Sequence, residues 1–204
     1  MSESKDVNSP DFWQHIYDTE RLPWDMGTAT PVFQRLIENG AFPHGKVLVV
    51  GAGSGHDARL FARHGFDVTA VDFAPGAIAT MRAAAEPTAP VDIRQADLFE
   101  LPEEFSAAFD YVLEYTCFCA IDPEKRPSYA AAIDQTLRPG GQIIALVLPI
   151  RGGPGGPPFQ ASPDEYIALF TERDYSLVLR EMPADSIGPR LGNEELVILR
   201  KSGG

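Results

Sequence analysis

The chain alternates short apolar runs with segments of helical periodicity, and this alternation constrains its fold more than any other feature. The run KVLVVG at 46–51 is rich in valine, which is typical of a strand buried on both faces. The segment HDARLFARHG at 56–65 follows, with apolar residues at helical spacing and a glycine at its end. Strand and helix then repeat along the chain, and strands joined through helices lie parallel in one sheet.

The remaining elements follow from the same patterns. Further strands are predicted at 66–72, 91–97, 109–115 and 142–149. Further helices are predicted at 74–86 and 124–137, and the sequence RPGG at 138–141 ends the second of them. Ser162 caps a helix that begins at Pro163. The last two apolar runs, 175–182 and 193–201, have no helix between them and therefore pair antiparallel. The predicted fold class is α/β, with a doubly wound, mostly parallel seven-stranded sheet that ends in an antiparallel C-terminal hairpin.

The length of the chain predicts one domain, because 204 residues can enclose one well-buried core. Residues 46–204 form the core of this single domain, 1–204. Residues 1–45 show no strand signal and are predicted to form a helical lid, with helices at 10–18 and 31–40.

Composition limits the partners of the protein. Seventeen basic and 29 acidic residues give a net charge of −12, which argues against nucleic acid and anionic membranes. No apolar run approaches the ~20 residues of a membrane helix, and the first residues lack the pattern of a signal peptide. We therefore expect a cytoplasmic monomer. The two cysteines, Cys117 and Cys119, are placed in one strand and predicted to be free thiols, and no metal site is expected.

The first strand leads into a glycine-rich turn with Gly51, Gly53 and Gly55, followed by His56. Such glycines let the backbone turn sharply and let a ligand approach the main chain. The dinucleotide fingerprint G-x-G-x-x-G would need glycine at position 56, so a nicotinamide cofactor is disfavoured. A nucleotide-like ligand and tight packing of the turn both remain open.

Carboxylates with apolar neighbours follow the second and third strands. Asp72 ends the second strand, where a carboxylate can accept the two hydroxyls of a ribose, although it can also cap the next helix. Phe73 can lie against an adenine face. Asp97 and Leu98 repeat the arrangement after the third strand, so the set describes adenosine without requiring phosphate.

These residues resemble the class I S-adenosylmethionine-dependent methyltransferases over about residue 46 to the C-terminus. Three further segments, at 12–31, 114–127 and 155–166, are similar to the thiopurine methyltransferase superfamily and most similar to its halide, thiocyanate and thiol methyltransferase branch. The resemblance implies a Rossmann-like methyltransferase fold with S-adenosylmethionine as cofactor. It implies cofactor contacts at Trp13, Tyr17, Trp24, Gly51, Asp72, Asp97, Leu98 and Tyr115, and the turn and strand ends add Gly53 and Phe73. Tyr17 stands where the family often has tryptophan.

The aromatic residues suit such a cofactor, because aromatic faces attract a sulfonium cation by roughly 0.5–2 kcal/mol each when dry. Packing of the N-terminal segment is the competing interpretation. Tyr115, at the end of the fourth strand, is the predicted catalytic residue that positions the methyl donor and the nucleophile. Cys117, Phe118 and Cys119 are predicted pocket walls, and Glu114 is a candidate backbone cap.

The predicted reaction is methyl transfer to a small, soft acceptor: a halide, thiocyanate, hydrosulfide or small thiol. The first three are already deprotonated and need no general base. Larger thiols or thiopurines are the alternative acceptors. A nicotinamide-dependent oxidoreductase and a non-catalytic adenosine-binding protein are more distant alternatives.

Overall fold

A computed structural model of the protein describes residues 6–19 and 21–203 and contains one seven-stranded sheet. The strands are β1 (Lys46–Val50), β2 (Asp67–Asp72), β3 (Val91–Gln95), β4 (Phe109–Tyr115), β5 (Leu137–Val147), β6 (Tyr175–Glu181) and β7 (Glu195–Lys201). The α-helices are α1 (Pro10–Asp18), α2 (Pro31–Glu38), α3 (His56–Arg63), α4 (Pro75–Ala83), α5 (Arg126–Thr136) and α6 (Pro163–Thr171).

The strand order is β3-β2-β1-β4-β5-β7-β6. The first five strands are parallel, and β7 lies antiparallel between β5 and β6. This confirms the predicted fold class. The direction of winding reverses between β1 and β4, so the connections that follow these two strands leave towards opposite faces of the sheet and a crevice forms at the carboxyl ends.

Two apolar clusters cover the two faces of the sheet. In β1, Val47 and Val49 belong to one cluster, and Leu48 and Val50 belong to the other. Successive strand residues point to opposite faces, so both sides of β1 are buried, as its valine-rich run predicts. Phe33 of α2 and Phe61 of α3 pack in the first cluster. Tyr129 of α5 and Tyr166 of α6 pack in the second.

The sequence RPGG lies inside β5 rather than before it, so the predicted strand start at 142 was wrong. Helix α5 ends at Thr136, and Leu137 pairs at once with Phe109. The ladder then shifts register before Tyr111 pairs with Gln142. The glycines are absorbed as an irregularity of the strand, because Leu137 is fully buried and anchors the strand before them.

The placement of the two cysteines in one strand was also wrong. Strand β4 ends at Tyr115, because Thr116 has a left-handed backbone with φ of +66°. Cys117 follows this residue, and Cys119 lies in a 3₁₀ turn at Phe118–Ala120. Both are buried free cysteines, which confirms the prediction of free thiols.

The N-terminal helices form as predicted. Ser9 caps α1 through its side chain, and proline occupies the first turn of both α1 and α2. Helix α1 lies against α4, where the Gly76 amide donates a 2.7 Å hydrogen bond to Oε1 of Gln14. Within residues 6–19 and 21–203, no helix is long and apolar enough to cross a membrane.

Candidate active site

A cavity of about 500 Å³ lies at the carboxyl ends of β1, β2 and β4, next to the reversal of strand order. Open α/β sheets bind their ligands in this crevice. All ten residues predicted to contact the cofactor line this one cavity: Trp13, Tyr17, Trp24, Gly51, Gly53, Asp72, Phe73, Asp97, Leu98 and Tyr115. The sequence therefore identified residues that the fold brings together from five separate segments of the chain.

The turn between β1 and α3 brings backbone close to the end of β4. Gly51 has φ of +56°, and a Cβ atom placed there would lie 2.8 Å from both Cβ and Sγ of Cys117. Only glycine satisfies the left-handed backbone and this close contact together. Gly53 faces the other side of the turn, toward Tyr17 and Trp24.

Asp72 both shapes this turn and lines the cavity. Its Oδ2 accepts a 2.9 Å hydrogen bond from the Gly53 amide, and its Oδ1 accepts a 3.0 Å bond from the Ala74 amide. Burial raises the pKa of this carboxyl group. Each carboxylate oxygen has a second lone pair. Holding the amides of Gly53 and Ala74 and binding a ligand are thus compatible in the same side chain.

The end of β3 contributes a second carboxylate and a set of apolar walls. Asp97 accepts a 2.9 Å hydrogen bond from the Phe99 amide and so caps the short turn Leu98–Glu100. Leu98 and Phe99 line the cavity beside it, and Phe73 projects from the end of β2. A flat apolar slot flanked by two carboxylates results.

Three aromatic rings from the N-terminal segment cover the same cavity. Trp24 makes edge-on contacts with Trp13 and Tyr17, at ring-centroid distances of 5.5 and 5.9 Å. The backbone of Gly76 allows α1 to approach, since a Cβ atom there would lie 2.5 Å from Cβ of Tyr17. The lid is therefore fixed to α4 by close packing as well as by the Gln14 hydrogen bond.

Sequence reasoning missed a polar network that joins the lid to the glycine turn. Asp25 accepts hydrogen bonds from the Ser54 hydroxyl and, at 3.0 Å, from Nε2 of His56. Arg59, which can only donate, lies 3.1 Å from Nδ1 of His56, so the hydrogen of the neutral imidazole is on Nε2. Asp25 and His56 line the cavity, but no sequence motif indicated that they would contact each other.

Glu114 points away from the cavity and holds the turn after β4. Its Oε1 accepts hydrogen bonds of 3.0 and 2.8 Å from the amides of Cys117 and Phe118, which confirms the backbone-cap hypothesis. The side chain is buried, and burial raises the pKa of its carboxyl group to about 7.

Tyr115 contacts two charged residues from the loop before β7, both of which sequence reasoning missed. Its hydroxyl donates a 2.6 Å hydrogen bond to Oε2 of Glu194. The Arg190 guanidinium lies over the Tyr115 ring, 4.7 Å from its centroid. Burial and the neighbouring Glu194 raise the pKa of Tyr115. These partners are more than 70 residues away in sequence, and no local pattern links them.

The fold and this cavity define a class of protein: the Rossmann-like methyltransferases. A solved structure of the 1,6-didemethyltoxoflavin-N1-methyltransferase of Burkholderia thailandensis, with bound S-adenosylhomocysteine, matches 95% of this chain and 87% of that chain with a TM-score of 0.73 and 24% identity. A structure from work on the conversion of a disulfide bond into a thioacetal group in echinomycin biosynthesis matches 95% of this chain and 93% of that chain with a TM-score of 0.79 and 23% identity.

The model of the thiopurine S-methyltransferase family matches residues 8–201, and the chain belongs to this family. Among its relatives, a probable thiol methyltransferase 2 of Arabidopsis thaliana is 34% identical over 96% of this chain and 87% of its own length. Thiocyanate methyltransferase 1 of the same plant is 32% identical over 90% of this chain and 82% of its own length. The predictions of the family, of an enzyme and of S-adenosylmethionine as methyl donor are thereby confirmed.

Proposed function

We propose that this methyltransferase transfers a methyl group to a small, soft nucleophile: thiocyanate, a halide, hydrosulfide or a small thiol. One observation carries the proposal. Arg190 lines the cavity, and its Nη1 is buried without a hydrogen-bond partner among the described residues. The same cavity is also lined by the apolar residues Leu148, Pro149 and Ile187. A cation in apolar surroundings suits a small anion that has lost its water.

The named relatives support this class of acceptor, since they are a thiol and a thiocyanate methyltransferase. Cys117 and Cys119 line the same cavity as Arg190. Their polarizable sulfur atoms are suitable walls for a soft anion. Burial raises the pKa of both thiols, to about 12 for Cys119, so they serve as uncharged walls rather than as nucleophiles.

The donor set around the cavity fits S-adenosylmethionine. Asp72 would accept the ribose hydroxyls through its free lone pairs, and Asp97 with Leu98 and Phe73 would hold the adenine. Gly51 and Gly53 would let the cofactor approach the main chain. Trp13, Tyr17 and Trp24 would surround the sulfonium with aromatic faces. When bound, the cofactor supplies an electrophilic methyl group on a positively charged sulfur.

The residues of the chain would act by positioning and by excluding water. Tyr115 is held by Glu194 and Arg190 and would align the acceptor with the methyl group. Opposite charges ~4 Å apart attract by about 4 kcal/mol at an effective dielectric constant of about 20, against about 1 kcal/mol in water. Alignment of two reactants contributes up to ~7–11 kcal/mol in well-oriented systems. A site that holds both reactants away from water would therefore gain from both effects.

An acceptor panel tests this function. Purified protein with S-adenosylmethionine should release S-adenosylhomocysteine with iodide, bromide, thiocyanate, sulfide and simple thiols, and methyl iodide should be measurable in the headspace. Arg190→Met should raise the KM for thiocyanate by about tenfold or more, since a hydrogen bond to a charged group contributes about 1.5–3 kcal/mol. Arg94→Met, which removes an arginine from an exposed pair with Asp92, is the matched control. No turnover on any small nucleophile would overturn the proposal.

A larger thiol or thiopurine is the second candidate, because the segment after β5 forms an exposed flap. Residues 151–156 are exposed, whereas Pro157 and Pro158 line the cavity. This flap is rich in glycine and proline, and by moving it could make room for the ring system of a thiopurine. If a thiopurine is methylated with a kcat/KM above that of thiocyanate, this second candidate replaces the first.

A further inference from the structure

Tyr115 and Glu194 form a short chain of polar groups from the cavity wall into the interior. Tyr115 lines the cavity, and its hydroxyl donates to Oε2 of Glu194 over 2.6 Å. Glu194 has no exposed surface, and its Oε1 has no hydrogen-bond partner among the residues that the structure describes. A buried carboxylate that is only half satisfied is costly to fold, so its presence behind a reactive cavity points to a role in the chemistry.

The charged groups nearest to Tyr115 are Arg190 and Glu194. The Arg190 guanidinium lies over the ring, and its Nη2 is held by the carbonyl oxygen of Trp24. Asp57 of α3, which also lines the cavity, is held by the amide and hydroxyl of Thr30. Glu194 is therefore the one carboxylate hydrogen-bonded to Tyr115 in the described part of the chain.

Thiocyanate and halides arrive as anions, whereas most thiols arrive with a proton. A simple thiol has a pKa near ~8.5, so only a few per cent is thiolate at neutral pH. A dry cavity disfavours the anion further unless a base takes the proton inside it. A site that methylates thiols at neutral pH therefore needs a proton acceptor within reach of the sulfur.

We propose that Tyr115 and Glu194 form a proton relay that allows this site to methylate neutral thiols. The inference rests on the proposed function and adds a residue pair specific to one acceptor class. The S–H proton passes to the Tyr115 oxygen while the Tyr115 proton passes to Oε2 of Glu194. The sulfur electron pair forms the new S–CH₃ bond, and the old C–S bond breaks with its electrons remaining on the sulfur of S-adenosylhomocysteine.

The relay conserves charge within the site. Before the step, Glu194 is negative and the donor sulfonium is positive. After the step, Glu194 is a neutral acid and both sulfur products are neutral. The buried carboxylate thus replaces the negative charge that an anionic acceptor brings with it. Glu194 returns its proton through Tyr115 to water after the products leave.

Glu194→Gln tests the relay, because glutamine keeps the shape and can accept the Tyr115 hydrogen bond but cannot take a proton. The measured quantity is the ratio of kcat/KM for 2-mercaptoethanol to kcat/KM for thiocyanate. General base catalysis typically contributes on the order of 10²–10⁴-fold, so we expect this ratio to fall by about 100-fold at neutral pH. The fall should shrink as the pH rises towards the pKa of the thiol, because the thiolate then forms without a base.

Glu195→Gln is the matched control. Glu195 follows Glu194 directly, but its carboxylate pairs with Arg180 outside the cavity lining. In Glu195→Gln the ratio of kcat/KM for 2-mercaptoethanol to kcat/KM for thiocyanate should stay within about twofold of the wild-type ratio. Tyr115→Phe should lower the same ratio as Glu194→Gln, since it removes the hydroxyl through which the proton moves. Thermal melting and calorimetric binding of S-adenosylhomocysteine identify any variant that fails to fold.

An equilibrium measurement gives a readout independent of turnover. In the complex with S-adenosylhomocysteine, Glu194→Gln should bind thiocyanate about threefold or more tightly, because it removes a buried negative charge near the acceptor site. A purely structural role for Glu194 would instead weaken both thiocyanate binding and thiol turnover.

The outcomes separate the relay from the proposed function. Three outcomes would overturn the relay and leave the proposed function standing. In the first two, Glu194→Gln loses activity equally on both acceptors, or its ratio of kcat/KM for 2-mercaptoethanol to kcat/KM for thiocyanate is unchanged. In the third, the wild-type enzyme methylates thiocyanate but no thiol. Absence of turnover with every small acceptor would overturn both.

Discussion

Asp72 shows how one residue can satisfy the fold and the ligand together. Its carboxylate ties the glycine turn to the start of α4 through the amides of Gly53 and Ala74. The same oxygens border the cavity where the ribose is expected. Sequence spacing predicted the position of this carboxylate, but it left cap and ligand as alternatives. The geometry shows that Asp72 holds the turn before α4 rather than capping the helix, whose N-cap is Ala74 without a side-chain hydrogen bond, and the ligand contact stays a prediction.

We expect Asp72→Asn to weaken binding of S-adenosylhomocysteine by about tenfold to 100-fold. A charged acceptor contributes about 1.5–3 kcal/mol per hydrogen bond, and the amide can present only one acceptor atom. Titration calorimetry measures the dissociation constant. Asp92→Asn, the same change at a half-exposed carboxylate of β3 that pairs with Arg94, is the control and should bind normally. Normal binding by a folded Asp72→Asn protein would refute the assignment.

At the scale of elements, the end of β4 decides the shape of the acceptor side. The left-handed Thr116 ends the strand, and Glu114 then holds the amides of Cys117 and Phe118. Periodicity extends a strand through an apolar run and contains no signal for a single left-handed residue. For this reason the sequence predicted β4 correctly to Tyr115 but placed the cysteines wrongly.

We expect Glu114 to make stability fall as the pH rises. In the unfolded chain this carboxyl has the ordinary pKa of 4.5, whereas in the folded protein burial raises the pKa to about 7. The folded state therefore holds the proton more tightly, and its stabilising effect is complete below about pH 4.5 and is lost as the pH rises through 7. The whole effect is ~3 kcal/mol in the free energy of unfolding.

Urea denaturation between pH 5.5 and 8 measures this slope. Glu114→Gln should flatten it, because the amide oxygen still accepts the two backbone hydrogen bonds without titrating. Glu124→Gln changes an exposed glutamate and should keep the wild-type slope. Equal slopes in Glu114→Gln and wild type would contradict the expectation.

At the scale of the whole molecule, alternation of apolar runs and helices was sufficient to predict the sheet. The central parallel strands β1, β4 and β5 have buried residues on both faces, so they are visible as apolar runs, whereas the edge strand β3 keeps only Val91 and Ile93 against the core. The glycine turn and the residues at the ends of β2 and β3 were found from strand ends, whereas Trp13, Tyr17, Trp24 and Tyr115 were predicted from the family resemblance. Arg190 and Glu194 could not be found this way, because only the antiparallel return of β7 brings their loop beside Tyr115.

The net charge of the protein should affect the rate at which an anionic acceptor reaches the cavity. The chain carries a net charge of −12 and repels anions at long range, whereas Arg190 acts only locally. The Debye length falls from about 30 Å at about 0.01 M salt to about 10 Å at about 0.1 M. We expect kcat/KM for thiocyanate to rise about twofold over this range in potassium acetate, whose anion is not a halide. The uncharged 2-mercaptoethanol is the control and should show no rise, and a fall for thiocyanate would mean that Arg190 dominates.

The raised pKa values of Cys117 and Cys119 have a consequence for the lifetime of the enzyme. Cys117 and Cys119 line the cavity of a methyltransferase, and a thiolate at either position would compete with the acceptor for the methyl group. Burial keeps both as S–H groups. The catalyst is thereby protected from inactivating itself by automethylation.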